Sequence, residues 1–327
     1  MKRATLRTHR IIRAVCSLII IGCVFVVLRF VNFSALLDNI NAQGYDLSGE
    51  LAEIVQNLRL TSKGERILRG TRAELQNSDA FNGSCKRSKE NIILLGCYSG
   101  NHIYVYNIKD NDLPGIREAT MAHELLHAIW ARMSNEEKDT IKPALDVVYE
   151  KNKDLQKHLK LYDKTEYYDE LHSIIGSQIN SDQLPDVLRT HYEKYFTDQD
   201  IPANYYHKYS DKLATIEKRL EELEKLMQET KNAIQERSEK YESENEQLSQ
   251  DILSFNSRAN KGLIAEEEFE VQRAELVRRQ TALKTEYDAL LGLRDKYNAY
   301  VTEYNQYVVF TNKAYNSMNS KLDAPGN

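Results

Sequence analysis

Two histidines and a glutamate fall within five residues of the segment ATMAHELLHAIW, residues 119–130. His123 and His127 are four positions apart, which places both on one face of an α-helix, and Glu124 projects beside them. Imidazole is a preferred zinc ligand, and a neighbouring carboxylate can take a proton from a water bound to the metal. The segment therefore predicts a hydrolytic zinc site with Glu124 as the general base.

Two histidines leave a catalytic zinc site one protein ligand short. The helix predicted over residues 164–179 carries the carboxylates of Glu166 and Glu170 and the imidazole of His172, and Asp169 is expected to support a ligand from behind. Glu170 and His172 are two positions apart, so one helix cannot easily aim both at the same metal. The residues alone leave Glu166, Glu170 and His172 open as the third ligand.

HELLH followed by a glutamate on a second helix resembles the gluzincin class of zinc metallopeptidases. In that class the downstream glutamate often opens a Glu-x-x-small pattern, and the ELHS sequence that starts at Glu170 matches it. The resemblance covers roughly residues 90–180. It implies that His123, His127 and Glu170 bind one Zn²⁺ ion. It also implies a zinc metalloendopeptidase in which Glu124 assists the attack of a zinc-bound water on a peptide or protein substrate.

The resemblance also implies a substrate strand and an oxyanion donor. Gluzincins usually bind the substrate as an added strand at a sheet edge beside the metal helix, and HIYVYNI, residues 102–108, is the candidate edge. Tyr104 and Tyr106 of this run are candidates for substrate contact, with packing as the alternative. The candidates for transition-state stabilisation or support of the ligands are His172, His191 and Tyr192, with a purely structural role as the alternative for His191 and Tyr192.

The N-terminal residues predict a membrane anchor. Residues 1–13 hold five Lys or Arg and no acid, and Ala14–Leu28 carry no charge. Extended to residues 11–31, the segment gives about 31 Å of helix, enough to cross a bilayer core. A cleaved signal peptide is the alternative, and both export the rest of the chain. The segment predicts a single-pass membrane protein with a cytoplasmic N-terminus and an extracytoplasmic body. The layout of anchor, HELLH motif and C-terminal coil is also similar to that of membrane-anchored bacterial proteins, and this resemblance implies a place in the bacterial cell envelope.

The composition argues against nucleic acid as a partner. The formal net charge is −5, and the remainder of the chain is more acidic than this total because the first residues are basic. A nucleic-acid-binding protein normally presents a basic patch. The chain also has no zinc-ribbon spacing and no glycine-rich phosphate loop. We therefore expect a peptide or protein as the main partner.

Two of the four cysteines lie in the predicted exported part. Cys85 and Cys97 flank the segment KRSKENIILLG, which would form a short loop closed by a disulfide. Disulfides form outside the reducing cytoplasm, so export makes this bond chemically allowed. Two free buried thiols are the alternative.

The chain after residue 205 has the pattern of long paired helices. Apolar residues follow a three-four spacing from Leu213 to Phe255 and a seven-residue repeat from Phe269 to Met318. A turn containing Gly262 separates the two segments, which predicts an antiparallel coiled-coil hairpin, with a parallel homodimer of one continuous rod as the alternative. The predicted domains are the basic tail and anchor (1–31), a metallopeptidase-like domain (32–200) and the coiled-coil hairpin (205–322).

The remaining pattern predicts an α+β fold that is mostly helical. Charged residues make up 28% of the chain and glycine and proline are scarce, which favours helices over an all-β fold. The predicted fold is a small gluzincin-like catalytic domain with a short β-hairpin or sheet, an N-terminal transmembrane helix and the long C-terminal hairpin. The two β-rich runs that predict this β-hairpin are Asn91–Tyr98 and His102–Ile108. The expected helices are Gly49–Leu58, Ser62–Leu75, Ile116–Arg132, Glu136–Leu159, Lys164–Ile179 and Leu184–Phe196.

Two functions compete with hydrolysis. A coiled-coil scaffold or cell-envelope interaction protein would use the metal only to brace the fold, and such a structural site would recruit a fourth protein ligand. Alternatively, the coiled coil itself is an arm that contacts the cell wall or a protein partner and regulates the peptidase domain.

Overall fold

The computed structural model describes residues 33–85, 93–159 and 166–322. This part of the chain is mostly helical with one small three-stranded sheet, which confirms the predicted α+β class. The strands are β1 (Glu74–Gln76), β2 (Gly96–Ser99) and β3 (His102–Tyr106). The helices are α1 (Phe33–Asn41), α2 (Gly49–Asn57), α3 (Ser62–Gly70), α4 (Ser78–Ser84), α5 (Ile116–Arg132), α6 (Asn135–Lys151), α7 (Lys153–Leu159), α8 (Tyr167–Gln178), α9 (Asp186–Tyr192), α10 (Asp200–Asn260) and α11 (Glu266–Met318), with a 3₁₀ turn at Ser181–Gln183.

The described residues contain no helix that is both long enough and apolar enough to cross a membrane. The two longest helices, α10 and α11, carry Glu, Lys and Arg along their whole length. This finding contradicts the expectation of a single-pass membrane protein, and we withdraw that expectation. The segment on which it was based, residues 11–31, lies outside the described residues.

Helix α5 begins and ends where the sequence predicts, at Ile116 and Arg132. Its apolar residues lie on all sides of the helix, and Met121, Leu125 and Ile129 are among those with almost no exposed surface. A helix that is apolar all round is a core helix. The HELLH residues are therefore held by a rigid element at the centre of the fold.

The sheet has the order β1-β3-β2. Strands β2 and β3 form the predicted antiparallel hairpin, with Cys97 opposite Tyr104. Strand β1 is parallel to β3 and pairs Leu75 with Val105. The predicted helix Ser62–Leu75 is therefore wrong at its C-terminal end, because α3 stops at Gly70 and the following residues hydrogen-bond to β3 instead.

The predicted helix Glu136–Leu159 is divided into α6 and α7. Asn152, between them, has an extended backbone, and its side-chain oxygen accepts hydrogen bonds from the backbone N–H groups of Asp154 and Leu155. Asparagine is a preferred N-cap residue because its side chain satisfies these otherwise unpaired donors. The local cap therefore starts a new helix at a position where apolar periodicity alone predicts continuation.

The chain divides into two compact units. The first contains the described residues up to Asp211 together with those from Ala314 onward, and the second is Lys212–Lys313. In the first unit, Ser320 donates a 2.8 Å hydrogen bond from its hydroxyl to Oδ1 of Asn82, and Asn82 Nδ2 donates back to the Ser320 carbonyl. The C-terminal residues are thus part of the first unit, which the heptad pattern does not reveal.

The second unit is an antiparallel pair of long helices. Phe255 stacks near Phe269, and further from the turn Arg219 donates two hydrogen bonds to Glu303. From the first pair to the second, the residue number falls along α10 from 255 to 219 and rises along α11 from 269 to 303, as antiparallel helices require. Gly262, with φ of +67°, lies in the connecting turn, where the left-handed conformation favours glycine. Of the predicted seam, Ile216, Leu223, Leu248, Phe255 and Leu283 are buried.

Helix α8 approaches α5 closely at Gly176. A Cβ atom built on this glycine would lie 2.5 Å from Cε1 of Tyr192 and 2.8 Å from Cδ1 of Leu126, and both of these side chains are fully buried. The absence of a side chain at Gly176 therefore sets the spacing between the helix that carries His123 and His127 and the helix that carries Glu170.

We expect Gly176→Ala to destabilise the protein. Overpacking a buried contact costs about 1–3 kcal/mol, which exceeds the gain of at most about 1 kcal/mol from replacing a helical glycine. Urea unfolding measures the difference. The matched control is Gly83→Ala in α4, where the new Cβ would meet nothing within 4 Å. Equal stability of the two variants would contradict the close approach.

Candidate metal centre

Helix α5 brings the two motif histidines together. The Nε2 atoms of His123 and His127 lie 3.2 Å apart because the residues are one helical turn from each other. Two nitrogens that are each about 2.0–2.1 Å from one tetrahedral zinc are about 3.3 Å apart. The observed separation therefore suits two ligands of a single ion.

Helix α8 supplies the carboxylate of Glu170. Its Oε1 lies 3.7 Å from Nε2 of His127, and its Oε2 lies 3.8 Å from Nε2 of His123. The ligand atoms of the three residues all lie within 4.8 Å of one another, so the group could hold a metal ion. Oε2 of Glu170 is buried and has no hydrogen-bond partner, which is costly for a carboxylate unless a cation compensates it.

A second carboxylate, Asp169, orients His127. Its Oδ1 lies 2.8 Å from Nδ1 of His127. An ionised carboxylate can only accept, so Nδ1 carries the proton and Nε2 turns its lone pair toward Glu170. A carboxylate behind a ligating imidazole commonly fixes its tautomer in this way. The structure thus places Asp169 in the supporting position that the sequence predicts for it.

His123 has an equivalent support. Its Nδ1 lies 3.4 Å from the hydroxyl oxygen of Ser177, and that hydroxyl donates its own hydrogen to the Ser173 carbonyl at 2.6 Å. The Ser177 oxygen is therefore available as an acceptor for Nδ1–H. With both Nδ1 atoms acting as donors, the two Nε2 lone pairs face each other, an arrangement that a cation between them stabilises.

The charges of the group are strongly coupled. Burial by itself lowers the pKa of His127, but the hydrogen bond to Asp169 and the charge of Glu124 raise that pKa to about 9. Burial raises the pKa of Glu170 to about 7, partly opposed by the charge of His127. The charge of each of these groups therefore depends on the charges of the others.

Glu124 lies beside the group on the same helix turn. It is 6% exposed, and burial raises the pKa of its carboxyl group to about 7, with the nearby His127 opposing the shift. The backbone N–H of Tyr98 in β2 donates a hydrogen bond to the carboxylate. A Cβ atom on Gly96 would lie 2.8 Å from Oε1 of Glu124. Strand β2 therefore passes directly against the predicted general base.

The structure separates the three candidates for the third ligand. Glu170 joins the two histidines. Glu166 is the residue that precedes the first turn of α8. His172 is completely buried, and its Nε2 lies 3.0 Å from Nε2 of His191. In the described part of the chain, the group formed by His123 and His127 includes Glu170 and neither of the others.

His172, His191 and Tyr192 form a cluster of their own. The Tyr192 hydroxyl donates a 2.9 Å hydrogen bond to the carbonyl of His172, and neither of these two side chains has exposed surface. In this conformation they cannot contact a substrate. The Trp130 ring of α5 lies 5.3 Å from the ring of His172 and so connects the cluster to α5. The predicted role of the three residues in stabilising the transition state or supporting the ligands stays a prediction.

The hydrogen bond between His172 and His191 requires at least one neutral ring, because one Nε2 has to accept. Burial lowers the pKa of His191 to about 4, with the charge of Lys194 acting in the same direction. The ordinary pKa of histidine is about 6.5, so the unfolded chain binds more protons between about pH 4 and 6.5. The stabilisation is therefore complete above about pH 6.5 and is lost as the pH falls toward 4.

We expect His191→Gln to flatten the pH dependence of stability. The shift corresponds to a change on the order of 3 kcal/mol in the free energy of unfolding between about pH 4 and 6.5, and glutamine does not titrate there. Urea unfolding in EDTA at several pH values measures the slope without interference from bound metal. His207, whose side chain is 39% exposed, provides the control variant His207→Gln. An unchanged slope in His191→Gln would contradict the assignment.

The position of the strands corrects the predicted substrate edge. Strand β3, which covers most of residues 102–108, is the central strand and hydrogen-bonds on both sides. Tyr106 is buried, which fits packing better than substrate contact. Tyr104 lies opposite Cys97, within the sheet. Among the described residues, the edge strand next to the metal group is β2.

Cys85 and Cys97 are joined by a disulfide, with their Cα atoms 5.9 Å apart. Cys97 follows Gly96 in β2, so the bond ties this strand to the end of α4. The residues of the intervening loop from 86 to 92 lie outside the described part of the chain.

The sequence gives only a weak signal for the contact of Gly96 with Glu124, and it gives none for the contact of Tyr98. The run around them predicts a strand, but only the tertiary structure shows that this strand faces Glu124. A glycine inside a predicted strand is a signal of close backbone approach, and Gly96 is such a residue.

Comparison with known proteins identifies no relative. No protein-family model matches the chain, and no curated protein and no solved structure matches it significantly. The resemblance to gluzincins therefore depends on the motif residues and their arrangement alone.

Proposed function

We propose that this protein is a zinc-dependent peptide hydrolase. One observation carries the proposal: His123, His127 and Glu170, from two separate helices, converge on one point, and the buried Glu124 lies beside them. Two imidazoles and one carboxylate are the ligand set of many catalytic zinc sites, in which the fourth position is left for water or substrate. Zn²⁺ is the proposed ion because it suits this mixture of nitrogen and oxygen donors.

A zinc ion held by these residues would polarise a peptide carbonyl and lower the pKa of a water molecule. Glu124 then accepts a proton from the attacking water and later donates it to the leaving amine. Glu124 suits this role by its position, because it is buried beside the three ligands on the same turn of α5 as His123 and His127. Asp169 holds His127 in the tautomer that leaves Nε2 available as a ligand.

The arrangement is similar to the gluzincin pattern in two respects. The third ligand is a glutamate from a helix after the HELLH helix, and a strand lies directly against the general base. We propose that β2, as the edge strand beside Glu124, takes the place that residues 102–108 were expected to hold, and accepts an extended peptide as an added strand.

A structural metal site in a non-catalytic scaffold is the competing function. Such a site would normally be closed by a fourth protein ligand. In the described part of the chain, the group consists of three residues, and His172 and His191 bond to each other instead. This arrangement favours hydrolysis. The expected protein or cell-wall partner of the α10–α11 coiled-coil hairpin stays a prediction.

The test is the variant Glu124→Gln. We expect it to lose at least about 99% of peptide hydrolysis, because glutamine cannot accept the proton, while one zinc ion per chain stays bound. A quenched fluorescent casein measures hydrolysis, and metal analysis after dialysis measures zinc. His123→Gln should lose both zinc and activity. Full activity in Glu124→Gln would refute the assignment, and wild-type protein without bound zinc would refute the metal site.

A second variant tests the contact between β2 and the general base. In Gly96→Ala the new Cβ would overlap with Glu124 and with Cγ2 of Thr120, which lies 2.7 Å from its position. We expect hydrolysis to fall about 10- to 100-fold through misplacement of the carboxylate, with zinc still bound. Gly83→Ala is the control. Equal activity of the two variants would exclude the contact as a determinant of catalysis.

A further inference from the structure

Arg132 lies eight residues after Glu124 on α5, about two helical turns away and on the same side. Its Nη1 donates to the Tyr98 hydroxyl at 3.2 Å and to the Ala128 carbonyl at 2.8 Å. Its Nη2 donates to Oδ1 of Asn101 at 2.7 Å. The guanidinium therefore bonds to strand β2 and to the turn that follows it.

The charge of Arg132 is balanced by Asp38 of α1. Nε and Nη2 donate to the Asp38 carboxylate at 2.7–3.0 Å, and Asp38 is only 3% exposed. Gly70 makes room for this pair, since a Cβ there would lie 2.7 Å from Cβ of Asp38. A bidentate, well-bonded pair of this kind fixes orientation more strongly than a single hydrogen bond.

Tyr98 connects this ion pair to the metal centre. Its hydroxyl accepts from Arg132 and donates to Asn101, while its backbone N–H donates to the carboxylate of Glu124. One residue of β2 is thus bonded at its side chain to the end of α5 and at its backbone to the predicted general base.

We propose that Asp38 and Arg132 are positioning residues for Glu124 and that they act through Tyr98. The inference depends on the proposed function, in which Glu124 is the general base. The ion pair holds the Tyr98 side chain, the side chain holds the β2 backbone, and the backbone N–H holds the carboxylate of Glu124 in position. Loss of the pair leaves the metal ligands in place but allows the base to move.

A purely structural ion pair would also matter for folding, so the test must separate the two roles. The variants are Arg132→Gln, Asp38→Asn and Tyr98→Phe, the last of which removes one hydroxyl and keeps the ion pair. The matched control is Arg117→Gln, because Arg117 is on the same helix and pairs with Glu50 at 3.1 Å instead. All variants are the full chain, compared at a temperature where circular dichroism shows them folded.

The first measurement is hydrolysis of the fluorescent casein. We expect kcat to fall about tenfold or more in Arg132→Gln and Asp38→Asn, with KM and zinc content unchanged, since misplacing a catalytic group acts on the chemical step. Tyr98→Phe combined with Arg132→Gln should cost little more than Arg132→Gln alone, because both variants break the same connection. Additive effects of Tyr98→Phe and Arg132→Gln on kcat would overturn the inference. A fall in kcat in Arg132→Gln that only equals the fall in Arg117→Gln would overturn it as well.

The second measurement does not depend on activity. Hydrogen exchange of the Tyr98 amide, followed by NMR, should be about tenfold faster in Arg132→Gln and Tyr98→Phe than in wild type and unchanged in Arg117→Gln. If the wild type is inactive but Arg132→Gln still speeds up exchange of the Tyr98 amide, the proposed hydrolase is rejected and the connection from Arg132 to β2 stands. Equal exchange in all variants would reject the connection whatever the activity. If Arg132→Gln does not fold, Tyr98→Phe alone decides.

Discussion

The side chains of His123, His127 and Glu170 lie largely buried between α5 and α8, where water cannot fully solvate them. Burying such groups is unfavourable unless each finds a partner of opposite charge or a hydrogen bond. His127 finds Asp169, but Oε2 of Glu170 has no hydrogen-bond partner in the structure. A cation would remove this cost, so binding of a metal ion by these residues and docking of α8 onto α5 would favour each other.

The same residue type has two opposite environments in this fold. His127 faces carboxylates, which raise its pKa to about 9 and make its position attractive to a cation. His191 faces another imidazole and lysine charges, and burial lowers its pKa to about 4. The neighbours, and not the histidine itself, decide whether the ring belongs to a metal site or to a neutral packed core.

The approach of β2 to α5 is the second condition for the site. Gly96 leaves space for the Glu124 side chain, and the Tyr98 N–H bonds to its carboxylate. The same strand is tied to α4 through the Cys97 disulfide and to α1 through Arg132. Elements that are far apart in the sequence therefore position the strand that lies against this single carboxylate.

Local patterns in the sequence determined the bounds of α5. They also determined that a β2–β3 hairpin and two long C-terminal helices exist, because helical and strand periodicities depend on near neighbours. They also placed His123, Glu124 and His127 on one helix turn. The residues alone left Glu166, Glu170 and His172 open, and only the resemblance favoured Glu170. The docking of α8, whose rotation decides which side chain faces α5, brings Glu170 to the two histidines. The central position of β3 and the Asp38–Arg132 pair depend on contacts between distant segments, which no local pattern encodes.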